Sequence, residues 1–343
     1  MALQLSIIVP AFNEAHRLAD GMGRFEAAVD DGAVDLDRTE LLVIDDGSSD
    51  NTATVARKLL ASLPHHRVVT NPSNRGKGAA VRTGVSLAAG AYTAYMDADM
   101  AIDPHAIPLL VDGLTTNDLA IGSRALADSM VDTTYALRSF MGRLFNRLVT
   151  TGTGLDLQDT QCGFKAFRTP VARLLFHLVR IDRFAFDVEI LARARRLGLD
   201  ITEVPVHLMH VPGSTIHPLH DPVSMLADVF RSRLGLLAPP PVPAIVVRDR
   251  TGRAGTGAMA ERIDDMLACT LDVVPAAVVA RGTSIIVLLP LVEPQDVATL
   301  YSALRAELEP LEVSRRAMTI DALRSLGPLT GRLQAPSLPG GSD

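Results

Sequence analysis

Asp97 and Asp99 stand two residues apart in Met96-Asp97-Ala98-Asp99-Met100, directly after the apolar run Tyr92–Tyr95. Two carboxylates at that spacing can hold a divalent cation while the backbone stays extended. Mg²⁺ or Mn²⁺ held by such oxygen ligands usually also bridges substrate phosphates. A D-x-D alone is common by chance, and three upstream neighbours give this one weight. Ser6-Ile7-Ile8-Val9-Pro10-Ala11-Phe12-Asn13-Glu14 is an apolar run that breaks at proline into a polar turn. Leu42-Val43-Ile44-Asp45-Asp46-Gly47-Ser48-Ser49-Asp50 repeats the design with paired acids and a glycine turn. In Asn74-Arg75-Gly76-Lys77-Gly78 the glycines let backbone approach a ligand, and the cations can meet phosphate. Strand-end turns are rich in Asp, Gly and Asn anyway. The order and phase of three such turns, followed by D-x-D, are what carry the reading.

The elements that must position these turns alternate. Strands are expected over Leu3 to Val9, Glu40 to Ile44, Arg67 to Thr70 and Tyr92 to Met96. Helices are expected over Ala15 to Val29, Thr52 to Leu63 (with Asp50 or Asn51 as N-cap) and Gly78 to Ala89. Apolar strands alternating with helices imply a mostly parallel sheet covered by helices. Ligands bind such sheets beyond the carboxyl ends of the strands, where every acidic cluster above lies.

With these strings in place the sequence resembles the inverting family 2 glycosyltransferases of the GT-A fold, whose motifs run P-x-x-N-E, D-D-G-S, N-x-G-K-G and D-A-D. The likeness continues through Gly122-Ser123-Arg124 and Arg138-Ser139 with Asn146. It extends to Asp159-Thr160-Gln161-Cys162-Gly163-Phe164-Lys165 and Arg183-Phe184-Ala185-Phe186-Asp187-Val188-Glu189, strings that look like the dolichyl- or polyprenyl-phosphate glucosyltransferase branch. The resemblance implies an α/β GT-A domain over residues 1–238 and a metal-dependent transfer of a hexose, glucose from UDP-glucose first, to a polyprenyl phosphate. It implies that Pro10, Ala11, Asn13 and Glu14 with Asp45 and Asp46 cradle the nucleotide, and that Lys77 lies near it. Asp97 and Asp99 would meet metal and diphosphate, with Ala98 between them on the substrate. Arg124 would contact a donor or acceptor phosphate, and Lys165 and Arg183 would complete the substrate site. Asp159, Asp187 or Glu189 would be the catalytic carboxylate, Asp187 and Glu189 being equally suited to cap or brace the acceptor helix; a lipid phosphate is already anionic and needs positioning more than a base. A soluble phosphorylated acceptor, as in glucosyl-3-phosphoglycerate synthases, and GDP-mannose as donor are the alternatives. The branch usually ends a later turn in G-S-K, where this chain has Gly213-Ser214-Thr215.

Composition agrees with an enzyme and narrows its setting. The chain has 343 residues, 48% apolar and 21% charged, with a formal charge of −6. That balance suits a globular protein and argues against a dedicated nucleic-acid binder. Two cysteines, Cys162 and Cys269, are too few for a disulfide framework. No leader pattern and no span-length apolar run is read in the sequence. The expectation is a cytoplasmic protein, peripheral at the cytoplasmic face of a membrane. Leu137, Phe140, Met141, Leu144, Phe145 and Leu148 form one apolar helical face, and Met225, Leu226, Val229, Phe230 and Leu234 another. Each face is either core or a basic amphipathic surface lying on anionic lipid. His207, His210, His217 and His220 read as polar loop residues rather than a zinc set, because Pro212, Gly213 and Pro218 break the stretch.

Pro239, Pro240, Pro241 and Pro243, with Gly252, Gly255 and Gly257 beyond, predict a linker over 239–257. An accessory α/β or α+β unit is expected over 258–333. Its helices fall near Met259 to Leu267 and Gln295 to Leu308. Its strands fall near Ala277 to Val279 and Ser284 to Leu289, joined at Arg281-Gly282. A disordered tail is expected over 334–343. Oligomerisation, with a homo-oligomer the simplest form, partner docking and regulation are the roles open to this unit.

Overall fold

The computed structural model describes residues 2–131, 155–209, 211 and 238–249. It also describes Met259, Arg262, Ile263 and Met266, and then 277–281, 284–292, 294–308 and 311–326. The two apolar faces at 137–148 and 225–234, His210, His217, His220, Gly213–Thr215 and the tail lie outside the described residues.

The first part runs β1 (Leu5–Ala11), α1 (Arg17–Asp30), β2 (Thr39–Asp45), α2 (Thr52–Leu60), β3 (His66–Thr70), α3 (Lys77–Leu87), β4 (Tyr92–Tyr95) and α4 (Ile107–Gly113). It continues with β5 (Leu119–Ser123), β6 (Met130–Val131), β7 (Lys165–Arg168), α5 (Thr169–Leu178), α6 (Phe186–Leu197), β8 (Ile201–Pro205) and β9 (His207–Leu208). The main sheet has the order β3-β2-β1-β4-β7-β5-β8. Its pairs are parallel except where β7 lies antiparallel between β4 and β5. This is the mostly parallel, helix-flanked sheet that the alternation predicted, with one inserted strand only four residues long.

Both faces of the sheet are covered, which is why β1 and β2 are buried along their whole length. Successive strand side chains point to opposite faces. Ile8, Leu42 and Ile44 therefore join α3, α5 and α6, while Ile7, Val9, Leu41 and Val43 join Leu18, Met22 and Phe25 of α1. Tyr95, Phe167, Phe176 and Phe186 form an aromatic block on the first side, with ring centroids 5.6 Å apart for Tyr95–Phe186 and 6.1 Å for Tyr95–Phe167. Pro10 does not end β1 as expected; it pairs in register with Ile44. Even-numbered β1 residues bond toward β4, as when Ile8 O accepts from Met96 N. Because β4 has stopped at Tyr95, the missing N–H of Pro10 costs no ladder bond.

The second sheet comprises β10 (Val242–Arg248), β11 (Ala277–Arg281), β12 (Ser284–Leu288) and β13 (Glu312–Met318), with α7 (Pro294–Glu307) and α8 (Ile320–Ser325). Its order, β11-β12-β10-β13, is antiparallel throughout. With the helical residues Met259, Arg262, Ile263 and Met266 the chain order is β-α-β-β-α-β, a split βαβ unit. The proline-rich stretch expected as a linker thus supplies the strand Val242–Arg248 from within 239–257, and the accessory unit begins upstream of 258. Pro243 is tolerated there because its carbonyl, and with it its nitrogen, faces the end of β12, where Leu289 N donates to Pro243 O.

One face of this sheet packs Ile245, Val247, Ile285 and Val287 against Met259, Ile263, Leu300 and Leu304. The other contributes Val242, Ala244, Ile286 and Leu288, with Ile320 and Leu323 of α8, to the cluster of α5 and α6. His177 lies at the seam, its Nε2 3.0 Å from Pro241 O and its Nδ1 accepting from Leu291 N at 3.2 Å. The two sheets therefore share one continuous apolar core rather than being joined only by a spacer.

Candidate active site

Three turns at the carboxyl end of the main sheet are sewn together by their own polar groups. Asn13 sits at φ 55°, and its Oδ1 accepts from Ser49 N at 2.9 Å, while Asn13 N donates to Ser48 Oγ at 2.9 Å. Glu14 N donates to Thr52 Oγ1 at 2.9 Å. Asn51 is the N-cap position of α2 but makes no side-chain cap bond; Asp50 beside it supplies one, its Oδ1 accepting from Thr52 N at 2.9 Å. Asp45 Oδ1 closes its own turn on Ser48 N at 3.0 Å. Asp46, read from sequence as a nucleotide contact, is buried and spends its carboxylate on the third loop. It accepts from Asn71 Nδ2 at 2.8 Å, Arg75 N at 3.0 Å and Gly76 N at 2.6 Å. Gly47, at φ 72°, is required here because a Cβ would lie 2.8 Å from the Ser73 carbonyl carbon.

Asp97 and Asp99 follow β4 and meet different partners. Asp97 has a half-exposed side chain, and Lys77 Nζ lies 2.6 Å from its Oδ1. Its Oδ2 rests against Gly163, where a Cβ would come within 2.3 Å. Asp99 is mostly buried, ion-paired with Arg17, and accepts from Ala101 N at 3.1 Å. Arg24 Nη1 donates to Asp99 O at 2.9 Å, and Arg17 Nη1 reaches Glu14 Oε1 at 3.0 Å. Helix α1 comes this close because Gly21 faces Ala98 O, where a Cβ would stand at 2.2 Å. Burial, then the neighbouring Asp97, pushes the Asp99 carboxyl above its ordinary value, against the pull of Arg17. Burial also lifts Glu14 to about 7, opposed by Arg17 and helped by Asp99, Asp97 and Asp50.

The later motifs close the other side. Arg124 forms a two-pronged pair with Asp159, Nε to Oδ2 at 2.6 Å and Nη2 to Oδ1 at 2.9 Å, and its backbone N also donates to Oδ2 at 3.1 Å. Burial alone would raise Asp159, but Arg124 outweighs it and holds the carboxyl at about 2. Lys165 is fully buried and donates to Cys162 O and Asp187 Oδ1, each at 2.6 Å. Tyr95 Oη donates to the same Asp187 oxygen. Asp187 therefore braces the inside of the Cys162-Gly163 turn. Glu189 is likewise structural, accepting from Arg180 N at 3.0 Å, Ile181 N at 2.8 Å and Arg193 Nε at 2.9 Å. Arg183 is exposed beside Gly76, and Pro10 and Ala11 lie buried in β1. His207 Nδ1 lies 3.9 Å from Asp103 Oδ2, and no group of three metal-ligating side chains forms among the described residues.

The family model for glycosyl transferase family 2 matches residues 6–176. The dolichyl-phosphate beta-glucosyltransferase of Dictyostelium discoideum is 36% identical over 68% of this chain and 75% of its own length. That of Drosophila melanogaster is 35% identical over 67% of this chain and 74% of its own. The chain belongs to glycosyl transferase family 2. Among solved structures, glucosyl-3-phosphoglycerate synthase from Mycobacterium tuberculosis, in complex with Mn²⁺, UDP and glucosyl-3-phosphoglycerate, is similar. Its TM-score is 0.50 at 23% identity, over 68% of this chain and 80% of that one, a likeness in fold.

In this family 2 glycosyltransferase the donor set at β4 fits a hard divalent cation. Asp97 and Asp99 offer carboxylate oxygens with lone pairs beyond those already engaged, and a cation held by one or two protein carboxylates keeps its other positions for phosphate and water. Burial first, and the charge of Asp97 second, raise the Asp99 carboxyl, a strain that a bound cation would relieve. Glu14 Oε2 and Gln161 Nε2 are buried without a hydrogen-bond partner, an acceptor and a donor left for a ligand. Sequence reasoning missed Arg17, Arg24 and Tyr95. Arg17 carried a usable signal, three residues after Glu14 at the start of a helix.

Proposed function

We propose that this glycosyltransferase moves glucose from UDP-glucose to a polyprenyl phosphate of the dolichyl type, with inversion and with a divalent cation held by Asp97 and Asp99. One observation carries the reading. The strings most specific to the lipid-phosphate branch stand against the D-x-D itself, with Gly163 on Asp97 and Arg124 clamped by Asp159. Relatives with that activity in their names at 36% and 35% identity support the donor and acceptor. The fold neighbour with Mn²⁺ and UDP supports the cation. No described helix is long and apolar enough to cross a membrane.

The residues divide the work. When bound, a divalent cation at Asp97 and Asp99 offsets charge on the diphosphate as the sugar–phosphate bond breaks. Glu14, poised at about 7 with Oε2 unpaired, hydrogen-bonds the nucleotide. Arg124, fixed by Asp159, presents its remaining N–H groups to the acceptor phosphate. Asp159, held at about 2 with both oxygens engaged, is a poor base at neutral pH. That suits a nucleophile that is already an ionised phosphate oxygen. Asp187 is a positioning group, the bracing role that the sequence left open beside a catalytic one. The test is product formation from a panel of labelled UDP- and GDP-sugars with polyprenyl phosphate, with and without Mn²⁺. Metal-dependent label from UDP-glucose in the organic phase supports the proposal. Label only in the aqueous phase, or only from GDP-mannose, overturns it.

A further inference from the structure

Lys77 and Lys165, two of only three lysines in the chain, both lie 5.9 Å from the Tyr95 ring centroid, but they are held differently. Lys165 is sealed in and fixed by two acceptors at 2.6 Å. Lys77 keeps some exposure and pairs with the half-exposed carboxylate of the D-x-D. We propose that Lys77 is an exchangeable internal counter-ion: it holds Asp97 until a divalent cation takes that oxygen, and then passes to the diphosphate of the donor. This inference rests on the metal-dependent reading above and deepens it.

Three observations support exchange. The Lys77 ammonium is 2.6 Å from Asp97 Oδ1, while Oδ2 is walled by Gly163. A cation at its usual ~2.1 Å from Asp97 Oδ1 would come within about 5 Å of that ammonium, so the two cannot share that oxygen in comfort. The rest of the lysine's surroundings are non-directional. Its Nζ stands 5.9 Å from the centroid of Tyr95 and 6.0 Å from that of Phe186, ring faces that favour a cation without fixing its direction. Finally, the residue is a lysine in a chain whose basic side chains are mostly arginine. An ammonium on a flexible stem can pivot between two anions, where a planar guanidinium fork would be locked to one.

The test compares wild type with Lys77→Met by Mn²⁺ binding, followed by electron paramagnetic resonance, without and with UDP. The variant is expected to bind Mn²⁺ alone about tenfold tighter and to bind UDP at saturating Mn²⁺ about tenfold more weakly, each about 1.4 kcal/mol. A merely structural lysine would weaken both, which overturns the inference, as does unchanged Mn²⁺ affinity. Wild type that binds no Mn²⁺ even with UDP overturns the metal reading and the inference with it. A second measurement needs no variant: nitrogen-labelled lysine side chains followed by NMR during addition of Mg²⁺ and UDP. The Lys77 ammonium signal should move while that of Lys165 stays. A Lys77 signal that does not move contradicts the exchange.

Discussion

Gly163→Ala is the smallest change that should disable this site while leaving the protein folded. The added methyl would lie 2.3 Å from Asp97 Oδ2, 2.9 Å from Asp97 Cγ and 2.9 Å from Lys77 Nζ. Carbon–oxygen contacts settle near 3.4 Å, so the carboxylate must retreat by about 1 Å. Gly163 is not among the positive-φ residues, so alanine adds no backbone strain and the whole effect is this displacement. Asp97 is half-exposed and can swing outward, so stability should change by less than about 1 kcal/mol. A misplacement of about 1 Å at a reacting centre costs on the order of 10²-fold in rate. The assay is transfer of labelled glucose from UDP-glucose to polyprenyl phosphate under kcat/KM conditions, with thermal unfolding alongside. A loss of about 10²-fold at an unchanged melting curve is expected. A variant with near wild-type turnover would refute the reasoning that Gly163 sets the position of Asp97.

Other perturbations separate chemistry from support. Asp97→Asn and Asp99→Asn should each lower turnover by about two orders of magnitude or more, since a lost cation site forfeits several kcal/mol of charge compensation; retained Mn²⁺-dependent turnover in both would place the cation elsewhere. Lys165→Met removes one partner of a fully buried pair and should cost about 3–5 kcal/mol in denaturant unfolding. An unchanged midpoint would contradict the bracing role of the Lys165–Asp187–Tyr95 group. His177 is a pH probe of the seam between the sheets. Burial lowers it below its ordinary value of 6.5, with Arg82 adding and the Pro241 carbonyl opposing. Its neutral ring fits the seam, because Nδ1 must accept from Leu291 N. The contribution is complete above the unfolded value and is lost as pH falls through the lower folded one, the unfolded chain binding more protons in between. Stability of wild type relative to His177→Ala should therefore decline with acidification below about pH 6.5; a pH-independent difference would show that the ring's charge state does not matter there.

The convergence of the candidate site's turns was legible because those turns are local. Asn13, Asp45, Gly47 and Asp97 each end a strand whose apolar run is visible in sequence, and parallel topology delivers those ends to one edge. What the sequence hid depends on partners far along the chain. Asp46 looked like a ligand contact because nothing local shows that Asn71, Arg75 and Gly76 will converge on it. Asp187 could be read as either catalytic or bracing, because its burial beside Lys165 and Tyr95 requires β4, β7 and α6 to be stacked first. Strand β7 starts at the last residue of a motif read for chemistry, and with four residues it has no periodicity to find. The prolines before Val242 suggested a spacer, since composition cannot reveal that Pro243 lies where its absent N–H is not needed. The apolar Val242–Val247 run was the better signal.

The central claim is that Asp97, Asp99 and Arg124 pass a glucosyl group from UDP to a lipid phosphate. The most direct measurement is a single reaction holding labelled UDP-glucose, Mn²⁺, micellar polyprenyl phosphate and an equal concentration of 3-phosphoglycerate, partitioned between organic and aqueous phases. Label in the organic phase, lost on chelation and lost in Arg124→Ala and Asp97→Asn, is the predicted result. Label confined to the aqueous phase as glucosylated 3-phosphoglycerate, or lipid product that survives these substitutions, would contradict it.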